Sequence, residues 1–228
     1  MRKLLIFFLV FPAVLYSKKI EVTSANTLLE IVKSRIIKTR TFTGSFVCVV
    51  NKKTYFGIIK YKAPNKFLFS YYGRTPKGEL YETGSKIVSD GKNFWIYLKD
   101  QNVAIRESLA REKRTPMIGW NIDRLLKEYV ATIPKDGYKF TYQNKTAYKL
   151  SFVPKNKMAG FKYINMIFNE DGDILKMEAM NQLDTTIELS LKYESFNINI
   201  VDTTFEFFPD ENTQIYENIL VPEEKKGD

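Results

Sequence analysis

Residues 87–100 read IVSDGKNFWIYLKD. Their grammar is that of a strand, a tight turn and a second strand, because Asp-Gly supplies the positive φ that two-residue hairpins need. The second strand carries Phe94, Trp95, Ile96 and Tyr97 in succession. So much ring area beside one hairpin marks a sheet with an apolar face to cover. Working outward, SFVCVV, YFGIIKY, KFLFSYY and KIVS come before the turn and NVAIRE after it, separated by the turn-prone pieces NKK, APN and DG. Consecutive strands joined this tightly form an antiparallel meander.

Two stretches switch to helical spacing. From Ser24 to Thr39 the apolar Leu28, Leu29, Val32 and Ile36 recur at helical intervals, and Thr27 with Glu30 has the form of a capping box. Around residue 115 a central helix is expected, with Thr115 as N-cap, Pro116 at its first position, and Met117, Ile118, Ile122, Leu125, Leu126 and Tyr129 along it. Then YKFTYQN, AYKLSFVP, YINMIFNEDG, ILKMEAMN, TTIELSLKYESF and TFEFFP resume the strands. The pattern amounts to about ten to twelve strands with two or three helices. An antiparallel sheet of that size curls, and its inner face must be covered. So few helices cannot fill it densely, which favours a curved sheet or open barrel closed by helices over an apolar cavity. A fully packed sandwich would give a similar pattern.

The composition, 228 residues with 44% hydrophobic and 14% aromatic, suits one folded domain. MRKLLIFFLVFPAVLYSKK at the start joins Arg2 and Lys3 to an apolar run from Leu4 to Tyr16, too short for a spanning helix of about 20 residues. A cleaved secretory signal over residues 1–17 is expected, with Ser17 as the last residue removed, although Leu15 is larger than the usual residue there; the competing reading is an uncleaved anchor. Cleavage would leave 228 − 17 = 211 residues and lower the formal charge from +9 to +7, since Arg2 and Lys3 are lost. Residues 18–220 then form the domain, and the tail VPEEKKGD, 221–228, reads as disordered. The lone Cys48 has no disulfide partner and is expected to be a buried small hydrophobe; no cysteine stands near the cleavage region to take a lipid, so the exported chain should be soluble. The lysines are spread rather than clustered, which with export speaks against nucleic acid; weak attraction to anionic headgroups is a secondary expectation.

Reactive chemistry is sparse. There is no histidine, hence no Ser-His-Asp triad, no Cys-His nucleophile and no histidine metal cluster. No phosphate-binding or dinucleotide glycine motif is present, so no nucleotide cofactor is expected. NEDGD, residues 169–173, is too short for a calcium loop and reads as a hairpin turn. Paired carboxylates for glycoside chemistry remain an alternative that sequence alone leaves open.

Taken in order, these pieces resemble the LolA family of periplasmic carriers, which ferry lipoproteins from the inner to the outer membrane. The similarity runs through FTGSF, then GIIKYKAPNKFLFSY with its Pro64-Asn65 step, then the SDGK-x-x-W-x-Y core holding Ser89, Asp90, Gly91, Trp95 and Tyr97, then TPMIGW, NEDGDI and TFEFFPDENTQI. The resemblance implies an eleven-stranded half-barrel with helices as a lid and an interior for the acyl chains of a triacylated lipoprotein. It implies a non-enzymatic, monomeric carrier in the periplasm. An inner-membrane ABC-type release complex would load it, and an outer-membrane acceptor would unload it. Alternation puts Phe67, Phe69 and Tyr71 on one strand face, and the resemblance makes them the acyl-binding candidates, with Met117, Ile118 and Trp120 on the lid. One departure stands out: where the family commonly carries an arginine before Pro-Asn, to latch the lid, this chain has Ala63. Lys62 would point to the opposite face. A rival reading is a lipid- or lipoprotein-sensing envelope regulator of related fold.

Overall fold

Where apolar residues recur at every second position the chain forms strands of a single sheet. The computed structural model describes residues 24–109, 122–156 and 159–217. A helix, α1 (Ala25–Lys38), leads into β1 (Thr41–Val50), β2 (Lys53–Lys62), β3 (Lys66–Arg74), β4 (Leu80–Asp90), β5 (Asn93–Leu98) and β6 (Val103–Ser108). After α2 (Ile122–Glu128) come β7 (Tyr129–Thr132), β8 (Lys139–Tyr142), β9 (Lys145–Pro154), β10 (Phe161–Asn169), β11 (Ile174–Asn181), β12 (Thr186–Phe196) and β13 (Gln214–Glu217).

The strands lie in the order β13-β6-β5-β4-β3-β2-β1-β12-β11-β10-β9-β7, and β8 also pairs with β9. β10 takes one edge of β9, so β7 and β8 run end to end along the other, opposite Ser151–Pro154 and Lys145–Tyr148 respectively. All pairings are antiparallel apart from β13 with β6, which is parallel. The two end strands of the order do not meet, so the curved sheet stays unclosed.

The mainly β architecture matches the sequence expectation, but thirteen strands replace the expected eleven or so. β8 is the strand read at YKFTYQN, whereas β7 and β13 are four-residue pieces that the sequence reading did not register. TFEFFP, expected as a strand, instead ends a 3-10 turn over Asp202–Phe205 and continues without strand pairing. Tyr129, expected on the central helix, opens β7. The expected start of that helix, including Thr115, Pro116, Met117, Ile118 and Trp120, lies outside the described residues, as do the 1–17 segment and the 221–228 tail.

Helix α1 has the expected bounds and a different cap. Ser24 takes the N-cap, its Oγ accepting from the Thr27 N–H at 3.2 Å, three residues before the expected box at Thr27 and Glu30. Leu28, Leu29 and Val32 face the sheet and are buried. In the last turn Arg35 lies over the Phe196 ring, 4.1 Å from its centroid, and its Nε donates to Asp173 in the β10–β11 hairpin. NEDGD is thus a hairpin turn, as read, and a docking point for α1 as well. Gly172 sits so close to the helix that an added Cβ would fall 2.7 Å from the Ile31 carbonyl oxygen.

The other face of β3–β5 is covered by the chain's own C-terminal stretch. Beyond β12 it is pinned first at Asp202, which pairs with Lys62 and Lys66 at 2.6 and 2.9 Å. Phe207 then packs against Trp95 and Tyr97, with ring centroids 5.6 and 5.0 Å apart, and Lys86 lies over it. Finally β13 adds itself to the edge of β6.

Candidate functional site

Register turns the alternation of single strands into rows across the concave face, because residues directly opposite one another in paired strands share a side of the sheet. One row runs Phe42, Tyr61, Phe67, Ser89, Phe94, Glu107; the next runs Gly44, Ile59, Phe69, Ile87, Ile96, Ile105; a third joins Phe46, Gly57 and Tyr71. The sequence-predicted trio Phe67, Phe69 and Tyr71 therefore does share one face. The rings interlock edge to face: Phe46 stands 5.1 Å from Phe69 and 5.4 Å from Tyr71, Phe67 stands 6.1 Å from Phe69, and Tyr55 6.3 Å from Tyr71.

These rings are not equally open. Phe67 is 1% exposed and Phe69 8%, in one apolar cluster with Leu28, Leu29 and Val32 of α1 and Leu125 of α2. Toward the far end of β2 the face opens, Tyr71 being half-buried and Tyr55 44% exposed. Burial pushes the Tyr71 phenol well above its ordinary range, helped by neighbouring Cys48 and Tyr55, and burial raises the half-buried Cys48 thiol too.

The motif residues at the opposite end do structural work. Ser89 Oγ donates to the Asn65 carbonyl at 3.0 Å and accepts from the Gly91 N–H at 3.1 Å, tying the β2–β3 turn to the β4–β5 hairpin. Asp90 accepts from the N–H groups of Lys92 and Asn93 at 2.7 and 2.8 Å. Gly91 has φ +97°, which explains the glycine, and an added Cβ would approach the Pro64 carbonyl to 3.2 Å. Pro64, Asn65, Ser89, Asp90 and Gly91 form one knot. Trp95 and Tyr97 belong elsewhere: they lie under Phe207 on the convex face, which is where the hairpin's excess of rings is used.

Three hollows can be delimited among the described residues. A groove of about 680 Å³ lies between the C-terminal half of α1, the β2–β3 turn and the start of α2, lined by Ile36, Ile37, Tyr61, Ala63, Pro64 and Ile122 among others. One of about 330 Å³ flanks Phe207 on the convex face, and one of about 20 Å³ lies beneath Arg35. None of these three is lined by Phe67, Phe69 or Tyr71.

A model of the family described as outer membrane lipoprotein carrier protein LolA matches residues 37–208. The chain belongs to the LolA family. No curated protein matches it. Among solved structures it is similar to a LolA superfamily protein from Nitrosomonas europaea, at 11% identity over 82% of this chain and 99% of that one, with a TM-score of 0.40. It is also similar to the lipoprotein LppX of Mycobacterium tuberculosis, at 9% identity over 78% and 97% of the two chains with a TM-score of 0.46. With the Pseudomonas aeruginosa MucA/MucB complex the identity is 11%, over 81% of this chain and 61% of that one, with a TM-score of 0.44.

Within this LolA-family chain, Ala63, the residue before the Pro64-Asn65 step, lines the large groove. Lys62 does point away: its Nζ donates to the Ile200 carbonyl at 2.8 Å on the convex side and pairs with Asp202. Arg35, one turn before the end of α1, holds the helix to Asp173 instead. Sequence reasoning missed this pair, because residues 138 apart carry no local signal. It also missed Glu107, fully buried in the row of Phe67 and Phe94, although alternation with Val103 and Ile105 along NVAIRE places it on that face.

Proposed function

We propose that this chain is a periplasmic carrier that takes up the acyl chains of lipoproteins against its concave face and moves them from the inner to the outer membrane without catalysing a reaction. Membership of the LolA family together with three rows of mostly aromatic and aliphatic side chains, broken by Ser89, Glu107 and two glycines, carries the reading. Rings that interlock edge to face present a smooth apolar wall to hydrocarbon of any conformation. Each methylene buried contributes about 0.8 kcal/mol, so several chains supply ample driving force. Phe67 and Phe69 are already covered, so loading displaces α1 and α2 and exchanges their apolar side chains for acyl chains. Tyr71 and Tyr55 mark the end where that exchange begins. Met117, Ile118 and Trp120 belong to the lid in this reading. An inner-membrane ABC-type complex would supply the lipoprotein and an outer-membrane acceptor would receive it.

Native mass spectrometry of the protein mixed with a triacylated lipoprotein tests the proposal. A one-to-one soluble complex is expected, absent with the acyl-free form. Tyr55→Glu sets a carboxylate at the open end of the ring wall, where its 44% exposure lets the domain fold. Burying that charge under lipid costs several kcal/mol, so the complex should weaken at least about tenfold. Equal binding of acylated and acyl-free lipoprotein, or an undiminished complex in Tyr55→Glu, would overturn the assignment.

A further inference from the structure

We infer that the rim around the end of α1 is a docking surface for a bilayer bearing anionic headgroups. Two segments distant in sequence are held together there. The Arg40 N–H donates to Asn197 Oδ1 at 2.8 Å, Asn197 Nδ2 to the Lys38 carbonyl at 3.3 Å, the Asn197 N–H to the Thr41 carbonyl at 2.8 Å, and Thr41 Oγ1 to the Ile198 carbonyl at 2.6 Å. Next to these bonds along the two segments, three aliphatic side chains remain open to water: Ile37 is 80% exposed, Val201 61% and Ile198 41%. Ile37 also lines the groove of about 680 Å³.

Charge selects the occupant. The groove that Ile37 lines carries Lys33, Lys38 and Arg40 against Glu30 and Asp123, three cations to two acids and hence a net +1, and next to Val201 in the chain Asp202 holds Lys62 and Lys66, two cations to one acid. Glu30 is engaged by Lys33, and Asp202 by Lys62 and Lys66. Among the described residues Lys38 and Arg40 are both exposed and have no acid within ion-pair reach. Aliphatic tips flanked by uncommitted cations match the layered chemistry of a membrane surface, where acyl boundary lies beneath phosphate. An acidic protein would satisfy Lys38 and Arg40 but leave Ile37 without an apolar partner.

Sedimentation with vesicles tests this, using phosphatidylcholine alone and phosphatidylcholine mixed with phosphatidylglycerol, and no lipoprotein. The readout is thereby separate from the carrier proposal: either can fail while the other stands. Preferential retention on the anionic vesicles is expected, falling as added salt shortens the screening length from about 10 Å at 0.1 M to about 3 Å at 1 M. Each cation near such a surface is worth about fivefold in affinity, so Lys38→Glu with Arg40→Glu should weaken binding by at least about 25-fold. Ile37→Asp should also release the protein. These side chains are exposed, so circular dichroism and melting temperature should match wild type. Wild type and variants share one N-terminus, so their difference reports the rim. Equal retention on both vesicles, no retention, salt-sensitive self-association in its place, or retention that survives both variants overturns the inference.

Discussion

At Gly57 an added Cβ would sit 1.8 Å from the Ser70 carbonyl oxygen and 3.1 Å from Cε1 of Phe46. Backbone cannot retreat as a side-chain tip can, so β2 and β3 would have to part or the Phe46 ring to leave its place. Gly57→Ala should therefore destabilise the fold by about 3 kcal/mol, readable as a lowered denaturant midpoint. Near-wild-type stability would show that the ring wall is looser than its contacts imply. Nothing local in YFGIIKY announced this: the glycine matters because of Phe46 on one neighbour and Ser70 on the other. By contrast the Asp90-Gly91 turn was legible, since the cause, a positive φ, acts within the turn itself. Ser89 lies between: its place in the motif was seen, but not its role in tying two turns.

At the scale of elements, local periodicity gave α1 its bounds and most strands their places. It failed where the same apolar alternation meets something other than a strand partner. Phe205 and Phe207 alternate as a strand would, yet they bury against the outside of the sheet, so no ladder forms. Tyr129 fits the helical phase of α2 but pairs with Pro154, tertiary contact overriding pattern. The tie between α1 and the β10–β11 hairpin belongs to this scale too. Asp173→Asn keeps the shape and removes the charge from the bond with Arg35, and should loosen α1 by about 2 kcal/mol. Hydrogen exchange along Leu28–Ile36 should speed accordingly, with the β1–β12 ladder unchanged. If α1 is the lid, the same variant loads lipoprotein faster. Unaltered exchange in α1 would remove Arg35–Asp173 as its latch.

For the whole molecule, the absence of histidine fixes the pH response. No side chain has its ordinary titration between pH 5 and 8. Burial raises the phenols of Tyr61, Tyr71, Tyr129 and Tyr193 in the fold. A group whose folded pKa lies above its unfolded value near 10 contributes stability that is complete below that pH and lost as pH climbs through the folded value. On the acid side, hydrogen bonds from Lys62 and Lys66 lower the Asp202 carboxyl, and one from Lys149 lowers Asp136. Those contributions are present above the unfolded carboxylate value near 4 and lost as pH falls toward the folded ones. Melting temperature should thus be flat from about pH 5 to 9, fall above about 10 and fall again below about 4. Tyr71→Phe should lessen the alkaline loss, and a transition near pH 6.5 would contradict this account. Strand number and helix scarcity pointed at this scale to a curved or open sheet but did not separate it from a packed sandwich; the unclosed strand order decides for the first. Invisible in the sequence were the parallel edge strand and how far α1 and α2 fill the interior, both set by pairings between distant segments.

The longest ladders of the sheet lie at its middle, where β1 pairs with β12 from Phe42↔Phe196 to Val50↔Ile187. A chain emerging from the ribosome makes β1 early and has to wait about 145 residues for its partner, and β6 waits about 110 for β13. Closing such distant pairs is slow, because chain entropy is lost before contacts reward it. The nascent polypeptide therefore has no complete sheet until β13 is made. Through that interval the strands on either side of the β1–β12 ladder leave apolar faces and unpaired edges open, the condition in which chains of this size are most prone to stick to one another.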